Sequence, residues 1–333
     1  MNEIFTVLGA GTWGSVMANH IAHAGHRVNI WHYKDQFAAE FDRTRTHPHL
    51  NGFILAEGIA VSSNLPEAVA ESAYIMVAVP SQKVREVIGQ LRGGLEGKSI
   101  ANLSKGIEQH TLKRMSEVIC EAGEIPAQRV ASIYGPSHAE EVMNRIPTTL
   151  VTASTDMDYA RTLQQLLSTS DLRVYANSDI IGVELGGSVK NVIAIAVGIS
   201  EGIGFGDNTV AALVTRGLAE VTRLGIAMGA NISTFAGLSG IGDLVVTAYS
   251  RHSRNRRLGL AIGNGRSAEE SMQEMGMVAE GIYTAQSVIG LADKLGVEMP
   301  ICREIHHILF DGKDPKKAIT ALMTRDLRDE TPH

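Results

Sequence analysis

The chain has 333 residues, of which 44% are hydrophobic and 20% are charged, and its formal net charge is -6. This length suits two domains, and this composition is typical of soluble globular proteins. The negative net charge argues against a nucleic-acid partner. The two cysteines, Cys120 and Cys302, lie in helix-like surroundings and predict buried thiols of a reducing compartment rather than a disulfide framework.

The chain begins with the pattern of a dinucleotide-binding fold. A strand-like run, residues 4–8, leads into the G-x-G-x-x-G motif formed by Gly9, Gly11 and Gly14. The first glycine permits a tight turn, the second lets the backbone approach a pyrophosphate, and the third lets a helix pack closely on the strand. A helix-like run and a second β-run, residues 12–24 and 26–31, complete a βαβ unit. An NAD(P) site is therefore predicted here; the alternative is a glycine turn in an ordinary hairpin.

The residues after the second β-run bear on the choice of cofactor. They are His32, Tyr33 and Lys34, and no acidic residue occurs before Asp35. An NAD-selective site usually has an acid about 20 residues past the glycines, where it would repel a 2′-phosphate. The sequence therefore predicts that NADP(H) is tolerated and preferred, although Lys34 could equally be a solvated side chain.

The rest of the first half alternates strand-like and helix-like patterns, which predicts a parallel, doubly wound sheet. Its strand-like runs are residues 74–79, 99–103, 130–134, 149–153 and 172–176. Three of these runs end in loops that contain Ser81, Lys105 and Ser137. Ligands of such sheets bind beyond the carboxyl ends of the strands, so we expect these loops to surround the nicotinamide. For the first loop, which begins with Pro80, an ordinary turn is the alternative.

From Asp179 onward the patterns are helical. The sequence therefore predicts a Rossmann domain over residues 1–182 and an all-helical domain over residues 183–330. The longest apolar stretch, residues 185–200, falls short of the roughly 20 residues that a membrane span needs, so we expect a buried helix and no membrane insertion. The first residues already form a strand of the fold, which predicts no signal peptide and a cytoplasmic protein.

Lys190 is the charged residue within that apolar stretch. A helix that is apolar nearly all round is buried, and burial lowers the pKa of an ammonium group, which makes it a better proton donor near neutral pH. Lys190 is therefore the best catalytic candidate. A structural ion pair or a snorkelling lysine is the alternative. Its neighbour Asn191 could be an ordinary helix residue.

A second group of candidates follows in the helical half. A glycine-rich loop carries Asp243 and, one turn on, Thr247; a basic helix start at Ser253, Arg254 and Asn255 comes next. Ser253 is a plausible N-cap, and the first turn of a helix favours an anion, which an arginine can bind bidentately. This pattern predicts a small phosphate site. A solvated basic helix face is the alternative.

No metal site is predicted. The paired histidines lack thiolate or carboxylate companions at ligand spacing, which favours surface or core histidines. These pairs are His20 with His23, His47 with His49, and His306 with His307.

Along essentially its whole length, the chain closely resembles the NAD(P)-dependent glycerol-3-phosphate dehydrogenases of the bacterial type. The matching segments are residues 9–14, 104–108, 134–137, 184–191, 237–243, 253–255 and 278–281. The resemblance implies a Rossmann domain followed by a helical domain, NADPH/NADP or NADH/NAD as cofactor, and a homodimer. The chain has Thr12 where serine is common and His138 where phenylalanine is usual.

The resemblance also implies roles for single residues. The position of Lys190 holds the catalytic proton donor or acceptor, and that of Lys105 contacts both cofactor and substrate. The other substrate positions are those of Gly135, Ser137, Asp243, Ser253, Arg254 and Asn255. The other cofactor positions are those of Thr12, Trp13, His32, Tyr33, Ala139, Arg254, Val278 and Glu280.

The implied reaction is the reduction of dihydroxyacetone phosphate to sn-glycerol 3-phosphate for phospholipid synthesis. Lys190 would stabilise the charge on the ketone oxygen and deliver the proton, while Asn191, Asp243 and Thr247 would orient lysine and substrate. Arg254 would hold the phosphate away from the chemistry. Two alternatives stay open: a dehydrogenase of the same architecture that acts on a β-hydroxy acid, and a regulator that senses a nucleotide.

Overall fold

The computed structural model describes residues 2–275, 279–327 and 329–330. In the first half, eight strands form one sheet of order β3-β2-β1-β4-β5-β6-β7-β8. They are β1 (Ile4–Leu8), β2 (Arg27–Trp31), β3 (Ala60–Ser62), β4 (Tyr74–Val77), β5 (Ser99–Asn102), β6 (Val130–Tyr134), β7 (Thr148–Ser154) and β8 (Leu172–Asn177). The doubly wound sheet of the Rossmann type is confirmed.

Seven helices cover the two faces of this sheet. They are α1 (Thr12–His23), α2 (Asp35–Thr44), α3 (Leu65–Val69), α4 (Val84–Gly89), α5 (Met115–Gly123), α6 (Ala139–Val142) and α7 (Met157–Leu167). The buried apolar side chains form a separate cluster on each face. Burial on both faces explains why the central strands are continuous apolar runs.

Two strands depart from the predicted parallel sheet, because β7 runs antiparallel to β6 and β8 runs parallel to β7. A parallel crossover would have to carry the chain back along the length of β6, about 16 Å for five residues. The connection contains only α6, whose four residues rise about 6 Å. The chain therefore re-enters the sheet at the same end and in the opposite direction.

The second half is helical, as predicted. Its helices are α8 (Ile180–Ile203), α9 (Asp207–Ala227), α10 (Ile232–Phe235), α11 (Asp243–Tyr249), α12 (Arg254–Gly263), α13 (Ala268–Met275), α14 (Glu280–Leu295), α15 (Pro300–Phe310) and α16 (Pro315–Met323). A π-helical turn, Leu238–Gly242, leads directly into α11. The buried side chains of these helices form one core around α8.

The axis of this half is α8. Asp179 caps its first turn by accepting from the Gly182 N–H at 2.8 Å, and Gly204 ends it in the left-handed conformation at φ +96°. The predicted domain border after residue 182 falls in the first turn of this helix. A side chain on the helix therefore has a fixed place relative to both halves.

Close backbone contact joins α8 to α12. A Cβ atom added to Gly198 would lie 2.1 Å from the carbonyl oxygen of Arg256, and one added to Gly259 would lie 2.1 Å from that of Ile195. Only glycine permits this approach. We call this contact the glycine seam. It places the start of α12 beside the middle of α8.

Two helical segments are long and apolar enough to cross a membrane by length and composition. One is α8, whose 24 residues extend beyond the apolar stretch of residues 185–200 at both ends. Within its most apolar window, 94% is buried inside the protein, which is typical of a core helix. The other is Ile232–Tyr249, and 44% of its 18 residues are buried inside the protein.

Candidate functional site

Two lysines from different halves of the molecule share one carboxylate. Lys105 follows β5, Lys190 lies in the middle of α8, and Asp243 begins α11. Asp243 Oδ1 accepts from Lys190 Nζ, and Asp243 Oδ2 accepts from Lys105 Nζ at 2.6 Å. The Asp243 side chain is 1% exposed, so it carries its charge away from water. The structure thus brings together three residues that the sequence predicted separately.

The environment of Lys190 prepares it to give up a proton. Burial lowers the pKa of Lys190 to about 7; the Asp243 carboxylate acts against that shift and the Lys105 ammonium adds to it. Lys190 Nζ also donates to Thr247 Oγ1 at 2.6 Å, and Thr247 Oγ1 donates to the Asp243 carbonyl oxygen at 2.7 Å. Among the described residues, Asp243 and Thr247 thus accept two N–H bonds of Lys190, and the third N–H bond has no acceptor.

The loop after β6 completes the surroundings of Lys105. Lys105 Nζ donates to the Gly135 carbonyl oxygen at 3.3 Å, and Ser137 Oγ donates to the same oxygen at 3.2 Å. Gly135 has φ +145°, and a Cβ atom there would lie 3.0 Å from the Thr149 carbonyl oxygen. The glycine is therefore required by both conformation and space.

The start of α12 has two structural tasks. Ser253 is its N-cap, as predicted, and accepts from the Arg256 N–H at 3.2 Å. Asn255 donates from Nδ2 to Asn191 Oδ1 at 2.9 Å and accepts from the Gly281 N–H at 3.0 Å. Asn191 and Asn255 thus join α8, α12 and α14, an arrangement that the sequence did not predict.

Glu280 connects the two halves through a contact that the sequence also missed. Its carboxylate accepts from the Ser81 N–H at 3.2 Å and from Ser81 Oγ at 2.5 Å. Burial raises the pKa of Glu280 and lowers that of Arg254, and each charge acts against the shift of the other. Arg254 therefore lies in the first turn of α12 near an acid of α14. Ser81 was a candidate through its place after a strand, and Glu280 through the resemblance, but neither signal predicted that the two residues meet.

The glycine motif has the shape of a phosphate cradle. Gly9 has φ +114°, and a Cβ atom there would lie 2.7 Å from the Ala78 carbonyl oxygen. A Cβ atom on Gly14 would lie 2.0 Å from the Gly9 carbonyl oxygen, whereas one on Gly11 would meet nothing within 4 Å. The N-terminus of α1 has no side-chain cap and no acid in its first turn. Its free N–H groups fit a pyrophosphate.

The other predicted cofactor residues lie at the same edge of the sheet or at its border with the helical half. Thr12 and Trp13 begin α1, His32 and Tyr33 follow β2, Ala139 begins α6, and Glu280 begins α14; Val278 lies outside the described residues.

The residues after β2 form an exposed basic edge. Tyr33 is 67% exposed, and Lys34 Nζ lies 5.4 Å from the centroid of its ring. His32 packs on Phe37 with ring centroids 4.2 Å apart, and burial lowers the pKa of His32. This edge carries a lysine at the place where an NAD-selective site carries an acid.

A fully bonded carboxylate on α8 was not predicted either. Glu184 accepts from Arg114 Nη1 at 2.6 Å, from the Ser116 N–H at 2.8 Å, from Ser116 Oγ at 2.6 Å and from Ser132 Oγ at 2.8 Å. It is 1% exposed. The available signal was an acid in an apolar helix, the same signal that singled out Lys190.

His138, the departure from the resembled family, lies close to the lysines. Burial lowers the pKa of His138, and the next cause is the nearby charge of Lys190. Its Nε2 atom lies 3.5 Å from the Val246 carbonyl oxygen. Its ring centroid lies 6.0 Å from that of His252.

The expectation that His306 and His307 lack a carboxylate companion was wrong. Asp311 Oδ2 lies 2.6 Å from His307 Nδ1, and the three residues bring their donor atoms within 4.8 Å of one another. Asp311 follows one turn after His307 at the end of α15, which explains the contact. By contrast, His47 is a core histidine, with Nε2 3.1 Å from the Ala10 carbonyl oxygen.

Two family models match the chain: the N-terminus of NAD-dependent glycerol-3-phosphate dehydrogenase over residues 4–160, and its C-terminus over residues 179–320. A glycerol-3-phosphate dehydrogenase (NAD(P)+) of Prosthecochloris aestuarii is 49% identical over 330 residues, which cover 98% of this chain and 99% of that protein. That of Thermoanaerobacter sp. is 48% identical over 327 residues, 98% of each chain.

Solved structures give the same result. The glycerol-3-phosphate dehydrogenase of Coxiella burnetii matches with a TM-score of 0.93 and 37% identity over 97% of this chain and 99% of that one. A ketopantoate reductase of Ralstonia eutropha matches with a TM-score of 0.61 and 16% identity over 95% and 99%, which shows a shared fold alone.

Proposed function

The chain belongs to the family of NAD-dependent glycerol-3-phosphate dehydrogenases, and we propose that Lys190 is the proton donor and acceptor of its reaction. The protein is an sn-glycerol-3-phosphate:NAD(P)+ 2-oxidoreductase, which reduces dihydroxyacetone phosphate in the direction of phospholipid synthesis. The observation that carries the role of Lys190 is its buried ammonium, whose pKa is about 7 and whose third N–H bond is available.

The ketone oxygen of dihydroxyacetone phosphate accepts that third N–H bond. The bound nicotinamide cofactor supplies the hydride, and negative charge develops on the oxygen as the carbonyl is reduced. Lys190 stabilises this charge and then gives the oxygen its proton. In the reverse direction, neutral Lys190 takes the proton of the substrate hydroxyl.

Lys105 keeps the charges balanced during this transfer. When Lys190 becomes neutral, the buried Asp243 carboxylate still has the Lys105 ammonium 2.6 Å away. A buried charge without a partner would be costly. Asp243 and Thr247 meanwhile hold the Lys190 nitrogen in place by accepting from it.

The phosphate of the substrate binds at the start of α12. Arg254 supplies the charge, the first turn of the helix supplies N–H groups, and Ser253 and Asn255 fix that turn. The other end of the substrate faces Lys105 and the loop of Gly135 and Ser137. Binding energy at the phosphate can then orient the reacting carbon.

The cofactor lies along the edge formed by α1 and β2. Gly9, Gly11 and Gly14 shape the turn that receives the pyrophosphate. The exposed Tyr33 and Lys34 stand where the adenosine ribose is expected, which favours NADPH at least as much as NADH. Val278 and Glu280 are proposed for the cofactor's other side.

We propose a homodimer, which family membership implies. From the sequence patterns we also propose a cytoplasmic location without stable membrane insertion, and a domain border after residue 182. The burial of α8 supports the absence of membrane insertion. Light scattering of the purified protein measures the oligomeric state directly.

The experiment that tests the function follows NADPH oxidation with dihydroxyacetone phosphate, dihydroxyacetone, and keto acids as substrates. We expect turnover with the phosphorylated ketone. Arg254→Ala should reduce kcat/KM for it by about 10- to 100-fold, because a charge-assisted contact is lost, and should spare dihydroxyacetone.

The control is Arg257→Ala, which removes an exposed arginine of the same helix. An unchanged preference for the phosphorylated ketone in Arg254→Ala would move the phosphate site elsewhere. Turnover confined to keto acids would support the second candidate, a hydroxy-acid dehydrogenase. This candidate is tested because the chain shares its fold with a ketopantoate reductase.

A further inference from the structure

Tyr134 is the largest fully buried side chain of the described residues, and it adjoins the site without a role in the reaction above. It is the last residue of β6 and precedes Gly135. Its ring lies beneath Lys105, whose Nζ is 5.5 Å from the ring centroid. A Cβ atom added to Gly187 would lie 2.5 Å from Tyr134 Cδ2, so the ring also packs on the backbone of α8.

The hydroxyl of Tyr134 holds the chain just before Lys105. It donates to the Ser104 carbonyl oxygen at 2.5 Å and accepts from Asn102 Nδ2 at 2.9 Å. Asn102 Oδ1 in turn accepts from the Ser104 N–H at 3.0 Å. Both backbone polar groups of Ser104 are therefore fixed by the pair Asn102 and Tyr134.

The hydroxyl thus holds Ser104, and the ring face lies under the next residue, Lys105. An ammonium within about 6 Å of an aromatic centroid is attracted by the negative face of the ring. We propose that Tyr134 is a positioning residue. It keeps the Lys105 ammonium bonded to Asp243, so that this carboxylate stays shared between Lys105 and Lys190. This inference rests on the proposed function of Lys105 and Lys190.

The charged groups around the Lys190 ammonium give the proposal a direction. Asp243 of α11 attracts it, Lys105 of the loop after β5 repels it, and His138 at the start of α6 lies nearby; Glu184 lies on α8 itself, towards Tyr134. Lys105 lowers the pKa of Lys190. If Lys105 leaves Asp243, the pKa of Lys190 rises, because the carboxylate then stabilises Lys190 alone.

The test compares Tyr134→Phe, which keeps the ring, with Tyr134→Leu, which removes it. In Tyr134→Leu we expect KM for dihydroxyacetone phosphate to rise about 3- to 30-fold, the worth of a cation–π contact. The alkaline limb of kcat for reduction should move to higher pH, because protonated Lys190 persists there. In Tyr134→Phe, which keeps the ring on Lys105 and loses only the hydroxyl bonds to Asn102 and Ser104, both quantities should move in the same direction but less than in Tyr134→Leu.

The matched control is Tyr159→Leu. Tyr159 is also a buried tyrosine, on α7 of the sheet half, and its hydroxyl has no hydrogen-bond partner among the described residues. This variant should lower stability without moving the alkaline limb. Tyr134→Met, whose flexible unbranched side chain adapts to the space of the ring, replaces Tyr134→Leu if the latter does not fold.

A second readout needs no turnover. Acetic anhydride labelling of the full chain, followed by peptide mass analysis, should modify Lys105 faster in Tyr134→Leu than in the wild type or Tyr159→Leu. Equal labelling together with an unmoved limb would overturn the proposal, as would an equal shift in Tyr159→Leu. If the proposed function itself failed, the wild type would not turn over, yet the labelling would still decide the position of Lys105.

Discussion

The helix α8 carries two buried charges six residues apart, and they differ in how completely they are bonded. Glu184, near its start, accepts four hydrogen bonds from Arg114, Ser116 and Ser132. Lys190, in its middle, donates to Asp243 and Thr247, and no described residue accepts its third N–H bond. Both residues are charged groups in an apolar helix, and the number of partners separates them.

The number of hydrogen-bond partners indicates whether a buried charge has a structural or a catalytic role. A charge whose bonding capacity is filled by the protein resists change and holds elements together. A charge with spare capacity beside a cleft can bind a ligand atom and exchange a proton. This criterion supports a structural role for Glu184 and the proposed catalytic role for Lys190.

The largest effect is expected from Lys190→Ala. We expect kcat to fall at least 10²-fold, because the group that delivers the proton is gone, while the affinity for NADPH stays close to that of the wild type. Stopped-flow turnover and a fluorescence titration of NADPH measure the two quantities. Near-normal turnover would contradict the assignment and would make Lys105 the next candidate.

Glu184→Gln tests the structural role of Glu184. The variant should lose about 3 kcal/mol of unfolding free energy, because Arg114 loses its main buried partner, while the folded fraction keeps its kcat. Urea unfolding and active-site titration measure both. Glu201→Gln is the control: this acid of the same helix is half-buried and pairs with Arg256 at 2.9 Å, so its loss should cost less. A loss of kcat with intact stability would show that Glu184 takes part in catalysis.

The pH dependence of kcat tests the proposed role of Lys190 in the unmodified protein. Reduction requires protonated Lys190, whose pKa is about 7, so kcat for reduction should fall as pH rises through that value, approaching tenfold per pH unit. Oxidation requires the neutral form and should show the opposite slope. A rate of reduction that is independent of pH from 6 to 9 would exclude Lys190 as the proton donor of a rate-limiting step.

The smallest effect is expected at the exposed edge after β2, where water screens charges. Tyr33→Asp places a carboxylate near the expected ribose and should weaken NADPH by roughly tenfold more than NADH. Titration of both cofactors into this variant and into Tyr33→Phe separates charge from the loss of the hydroxyl. Equal losses for both cofactors would mean that the ribose is recognised elsewhere, with Glu280 the next position to examine.

Local patterns predicted the fold and the main site residues well. The buried helix expected around residues 185–200 is part of Ile180–Ile203, and Ser253 caps α12 as its side chain suggested. Lys105 was found through its place after a strand, and Asp243 through the glycine-rich loop that carries it. These features depend on a few neighbouring residues, which the sequence displays directly.

Contacts between distant segments were not predictable in this way. Asn191 meets Asn255, and Ser81 meets Glu280, across many intervening residues. The three residues of β3 are too short for a periodic signal, and the reversal of β7 depends on how short α6 is. Pairing of this kind follows from the packing of whole helices and strands.

The glycine seam also limits how far this protein can be redesigned. Because the backbones of α8 and α12 already touch at Gly198 and Gly259, the helices cannot approach further, and any side chain there would push them apart. The seam therefore fixes the spacing between Lys190 and Arg254, which under the proposed function sets the length of phosphorylated substrate that fits between them. An engineer who wants a longer substrate accepted must reshape the loop of Gly135 and Ser137, since the distance between the two helices is not adjustable in small steps.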